Sequence, residues 1–182
     1  MSAQTYDAVP HEVVRWSIDT GMSFDDFRDR YETAVPALDL DRLTQLRAQR
    51  ASWDVVLAAA AENAPNGFMR FWSTDVGETM RLAGDEGPCM TYLMGNHTIA
   101  ERMYRHDPAV MLYAPLRTTI HLDRQGVTRF SLDQPSTRFA GFGDPDIAAV
   151  GRELDRKVAT LLKVLGVPVP PAFLAEAEAG KA

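Results

Sequence analysis

Apolar residues recur along this chain at two spacings, and the switches between them mark out strands and helices. In Glu12 to Ile18, Val14, Trp16 and Ile18 alternate with Val13, Arg15 and Ser17, the period of a half-buried strand. The spacing then lengthens. Phe24, Phe27, Tyr31 and Val35 share one helical face behind Ser23, an N-cap residue with Asp26 three positions on, and Pro36 closes the segment. A second helical pattern follows Asp39 with Leu40, Leu43, Leu46, Arg50, Trp53, Val56, Leu57 and Ala60, and stops before Pro65-Asn66-Gly67. Its length predicts a break near Ser52.

Phe68 to Thr74 and Met90 to Met94 read as strands, while Val76 to Gly87 suits a continued ribbon and a short coil equally. After Gly95-Asn96, Thr98 and Glu101 have capping-box spacing in a short helix that ends at His106-Asp107-Pro108. Val110 to Leu122 is the longest expected strand, interrupted by Pro115, and Arg124-Gln125-Gly126 turns it into a hairpin with Val127 to Leu132. Asp144-Pro145-Asp146 opens a last helix with Ile147, Val150, Leu154, Val158, Leu161 and Leu165 inward, and Gly166 and Pro168 end it.

Alternation in the strands fits an antiparallel sheet with one covered face better than a buried parallel sheet. The expected fold is therefore α+β, an antiparallel sheet of about five strands with helices packed on one face, in the order β-α-α-β-β-α-β-β-α. Residues 1–10 read as a flexible N-terminus, 11–166 as a single domain and 167–182 as a tail. In that tail, Pro168-Val-Pro-Pro171 is stiff, and the alanine- and glutamate-rich stretch from Ala172 is a weak helix or disorder.

Composition agrees with one core: 182 residues, 46% of them apolar, suffice for a single globular domain. A formal net charge of -6 argues against nucleic acid as a partner, because phosphate-binding surfaces are basic. The lone Cys89 cannot form an internal disulfide, the first residues have no basic-then-apolar leader pattern, and no apolar run is long enough to cross a bilayer. These features predict a soluble cytoplasmic protein without a membrane partner.

Candidate chemistry is sparse. Asn96 at the head of a short helix is accounted for as an N-cap; if Thr98 caps instead, the side chain and free amides of Asn96 and His97 can face an anion or polar ligand group. Arg117 and His121 leave the same face of one strand, about 13 Å apart. Either Arg117 pairs with a carboxylate such as Asp75 or Asp133, or its planar fork grips a ligand carboxylate or phosphate. Cys89, Met90, Met94, His97, Met103 and His106 crowd together and make haem or soft-metal binding a minor alternative, without the ligand spacing of a known metal or haem site. A helix C-terminus explains His106, and no catalytic triad or phosphate loop is present, so no cofactor or metal is expected.

Gly95-Asn96-His97, Asp107-Pro108, Ala114-Pro115-Leu116-Arg117 and Phe130 through Pro135-Ser136 occur in an order that resembles the bacterial and archaeal domain of unknown function numbered 302, over roughly Val13 to Leu165. The resemblance implies a compact α+β domain, often paired into homodimers, and no assigned activity. Relatives carry an Asp-His pair where this chain has Asp75-Val76, a cysteine near the position of Gly95, and proline where His97 stands.

Three functions follow as expectations. The first is a non-catalytic binding domain for a small, largely apolar ligand with a polar or anionic group. Its pocket would be lined by Trp16, Phe71, Trp72, Tyr92 and Tyr113, with Asn96, His97, Arg117 and His121 as polar contacts. The second is a proton-transfer or isomerase-type enzyme using Arg117 with His121 or Asp75. The third is a homodimeric interaction protein.

Overall fold

The computed structural model describes residues 6–174. Five strands form one open antiparallel sheet: β1 (Arg15–Asp19), β2 (Met69–Asp75), β3 (Cys89–Gly95), β4 (Leu116–Leu122) and β5 (Thr128–Asp133), ordered β1-β5-β4-β3-β2. Period-two alternation sorts the faces. Leu116, Thr118 and Ile120 of β4 are buried together with Thr128, Phe130 and Leu132 of β5, whereas Arg117, Thr119 and His121 turn the other way. Register aligns Ser17, Ser131, Thr119, Thr91 and Thr74 across all five strands on that second, polar face.

Seven α-helices complete the fold among the described residues: α1 (Phe24–Ala34), α2 (Leu40–Ala48), α3 (Trp53–Asn63), α4 (Val76–Met80), α5 (His97–Tyr104), α6 (Pro135–Phe139) and α7 (Pro145–Leu165). Ser23 caps α1 by accepting from the Asp26 amide, as its spacing with Asp26 predicts. Phe27 and Tyr31 then face the sheet, stacking on Phe130 at 5.7 and 5.4 Å, and Tyr31 also meets Tyr92 at 4.8 Å. The Tyr31 hydroxyl shares a 3.0 Å hydrogen bond with Thr118 Oγ1, which satisfies two polar groups inside the core. Asp144 caps α7 through the amides of Asp146 and Ile147, Pro145 takes the first position, and Ile147, Val150, Leu154, Val158, Leu161 and Leu165 are all buried. Each such large side chain contributes about 1.5–3 kcal/mol by leaving water.

One expectation is corrected, one is met and two open readings are decided. The segment from Val110 is no strand: Pro108–Leu112 is a 3-10 turn capped by Asp107, whose Oδ1 accepts from the Ala109 amide at 2.8 Å, and β4 begins only at Leu116. Asp-Pro there is both the stop of one helix and the start of the next turn, and the Ala114–Pro115 peptide bond is cis. The long second helix is two, α2 and α3, separated where Arg50 has a positive φ of 49°. The segment left open after Asp75 coils as α4, with Asp75 Oδ1 accepting from the Glu78 amide at 2.9 Å. Thr98 does not cap α5; Asn96 does.

Helix α6 was not expected at all. It is held against α7, where Gly151 lets the backbone of Ser136 and the side chain of Phe139 come within about 3.1 Å of the place a Cβ would occupy. Beyond α7, Phe173 is fully buried and packs 5.9 Å from Trp16, so the start of the tail belongs to the core. The readings of residues 1–5 and of the stretch from 175 onward lie outside the described residues. Among the described residues no helix is long and apolar enough to cross a membrane.

Candidate functional site

At one end of the sheet, where β3 passes into α5, the structure encloses an apolar cavity of about 280 Å³. Phe68 and Phe71 wall it from the β2 side, Ile99, Ala100, Met103 and Tyr104 from α5, Met111 and Pro115 from the segment before β4, and Phe139 and Leu154 close its floor. Tyr104 and Met111 are about half exposed and stand at its mouth. Gly95 makes the wall continuous, because a Cβ there would meet Pro115 at 3.2 Å and Phe71 at 3.6 Å.

The polar inventory of this cavity is short. Asn96 Oδ1 accepts from the Thr98 amide at 3.0 Å and the Thr98 hydroxyl at 2.7 Å, and its Nδ2 donates to the Gly67 carbonyl at 3.2 Å. That side chain is consumed by capping α5 and tying it to the turn before β2. Glu101 is held by Arg105. His97 differs: its Nδ1 is buried and has no hydrogen-bond partner among the described residues. Burial, helped by the charge of Arg47, lowers the His97 pKa below its ordinary value, so the ring is neutral at pH 7 and offers one donor and one acceptor. The Phe71 ring meets it edge-on at 6.4 Å. The imidazole also borders a polar cleft between α2 and α3 that contains Asp39, Arg42, Glu62 and Asn63, so it divides two spaces of opposite character.

The structure separates the residues that the sequence grouped. Asn96, His97 and Phe71 line the cavity; Trp72, Tyr92, Tyr113, Arg117 and His121 do not. Tyr92 is fully buried under α1 and donates to Glu32 Oε1 at 2.9 Å, a carboxylate that also pairs with Arg70 at 3.2 Å. Trp16 lies at the other end of the core against Phe173, with its indole N–H donating to Gln134 Oε1 at 3.2 Å. Trp72 is half exposed, opposite Leu93. Arg117 and Tyr113 belong to a second depression of about 390 Å³ that abuts the cavity.

His121 sits on the polar sheet face between Cys89 of β3 and Arg129 of β5. Its Nδ1 is also buried and unpartnered among the described residues, and burial lowers its pKa despite nearby Asp123. Asp75, the other proposed acid-base group, is engaged as the α4 cap, and of Arg117, His121 and Asp75 only Arg117 lines the second depression. The soft-ligand cluster disperses as well. Met94 and Met103 are core residues, burial holds the Cys89 thiol protonated, and His106 lies 3.5 Å from Asp144 at the head of α7.

Several cavity residues escaped the sequence reading, notably Ile99, Ala100, Met103 and Met111. A usable signal existed: Ile99 with Met103, and Ala100 with Tyr104, are four apart on α5, giving a helix too apolar for its short length to be only a connector.

No curated protein sequence matches the chain. Its fold is similar to that in the crystal structure of an uncharacterized conserved protein DUF302 from Bacillus stearothermophilus, with a TM-score of 0.60 at 15% identity, covering 83% of this chain and 97% of that one. The family model for the domain of unknown function DUF302 matches residues 48–165. That span takes in the cavity, from Phe68 to Leu154, and on it the chain belongs to the DUF302 family.

Proposed function

We propose that this protein binds, without transforming, a small and largely apolar molecule carrying one polar group, with the molecule's apolar body in the cavity at the head of α5. The observation that carries this reading is an apolar pocket whose lining offers few polar groups, bordered by the neutral imidazole of His97. Taking a ligand's apolar body out of water there contributes about 25 cal/mol per Å² buried. The volume of about 280 Å³ lies just below the usual range for ligand sites, about 300–1,000 Å³, which limits the ligand to a small molecule.

Nucleophilic catalysis pairs a nucleophile with a base within hydrogen-bond reach. His97 has no such partner among the described residues, since Asn96 and Glu101 are both engaged. That favours binding over covalent catalysis.

The test is a titration with the neutral fluorophore N-phenyl-1-naphthylamine, compared between the wild type and Ala100→Phe, which places an arene inside the cavity. Wild-type binding with loss of at least about tenfold in affinity in the variant is expected. Equal binding by two folded proteins would remove the cavity from consideration.

A further inference from the structure

The depression next to the cavity shares three of its residues, Met111, Pro115 and Leu116. The two spaces are thus the two sides of one short stretch of chain. The cavity is apolar, but the depression is charged: Arg117, Arg138 and Asp133 line it, two guanidiniums against one carboxylate. Asp133 is taken up by Arg138, which also lies over the Tyr113 ring at 4.9 Å. Arg117, by contrast, is exposed and has no ion pair or side-chain hydrogen bond among the described residues. In a chain of net charge -6, an arginine left free beside an apolar enclosure is a local seat for an anion.

We propose that the ligand is an anionic amphiphile whose apolar part enters the cavity past Met111, which stands at the cavity's mouth and also borders the depression, and whose anionic group lies on the Arg117 guanidinium. This rests on the binding reading above. The planar fork of arginine matches a carboxylate or phosphate with two parallel hydrogen bonds, and Arg138 contributes the same sign without giving up Asp133.

The experiment displaces N-phenyl-1-naphthylamine from the full chain with octanoate or with 1-octanol, which share a tail and differ in the head. Octanoate is expected to compete about tenfold better, and this advantage should vanish in Arg117→Ala, and at high salt, while 1-octanol is unaffected. Arg117→Lys should retain part of it. If octanoate and 1-octanol compete equally, or if Arg117→Ala weakens neither or both alike, the anionic seat is overturned and the cavity reading stands. If the fluorophore does not bind, both fail together. Sedimentation with phosphatidylglycerol vesicles separates the sources: a free acid competes without vesicle binding, whereas a lipid headgroup carries the protein down through Arg117.

Discussion

Two histidines hold a buried ring nitrogen with no partner among the described residues, and both are kept neutral by burial. In the unfolded chain such imidazoles protonate near pH 6.5, but in the native protein only at lower pH. Between those points the unfolded chain binds more protons, so stability should fall as pH is lowered through 6.5 and be fully present above it. Thermal melts from pH 8 to pH 5 should show this decline, and His97→Gln should reduce it, leaving the His121 contribution. An unchanged slope in the variant would mean that His97 titrates normally. Asn96 offers a contrasting case, because its three hydrogen bonds are all structural. Asn96→Ala should cost about 1–2 kcal/mol, more than a bare cap at the low end, since the tie to Gly67 goes as well. Chemical denaturation measures this directly.

Helices whose caps and apolar stripes agree were legible at the element scale: Ser23 with Phe27 and Tyr31, and Asp144-Pro145 with the stripe from Ile147 to Leu165. So were the strands whose alternation is uninterrupted, and hence the α+β class. What failed was punctuation with two meanings. Asp107-Pro108 ends α5 and starts a 3-10 turn, and reading only the first sense turned Val110 to Pro115 into strand. The cavity suffered from this directly, because Met111 and Pro115 were assigned to a flat strand and not to a fold over α5. Helix α6 was illegible for another reason: it depends on a distant partner. Asp155 of α7, buried, accepts from the Ser136 amide at 2.9 Å and from Gln134 Nε2 at 2.8 Å, so the start of α6 is held from twenty residues away. Asp155→Ala should therefore destabilise by about 1–3 kcal/mol through the donors it orphans, with hydrogen exchange rising first at Ser136 to Phe139. Uniform exchange with no change in melting would show that α6 stands alone.

At the scale of the whole molecule, the matched family segment and the folded unit differ. Residues 48–165 carry the family pattern, yet β1 and α1 precede them and supply one edge of the sheet and a large share of its cover. Ile18, Phe27, Tyr31 and Val35 are buried in the same core as Phe130 and Tyr92. Removing these four forfeits on the order of 10 kcal/mol of burial, at about 1.5–3 kcal/mol each, which is comparable to the whole stability of a typical domain. It also strips β5 of one of its two partners, since every residue of β1 from Arg15 to Asp19 pairs with it, and leaves an apolar sheet face next to an open edge. A fragment of residues 48–165 should consequently be insoluble or collapsed, while the full chain melts cooperatively. Circular dichroism melts and the spread of amide proton shifts decide the matter. A cooperative transition with dispersed shifts in the shorter fragment would make the family segment the folding unit; its absence would make β1 and α1 parts of the scaffold that holds the cavity, because Phe68 and Leu116, which line it, also belong to the core those elements cover.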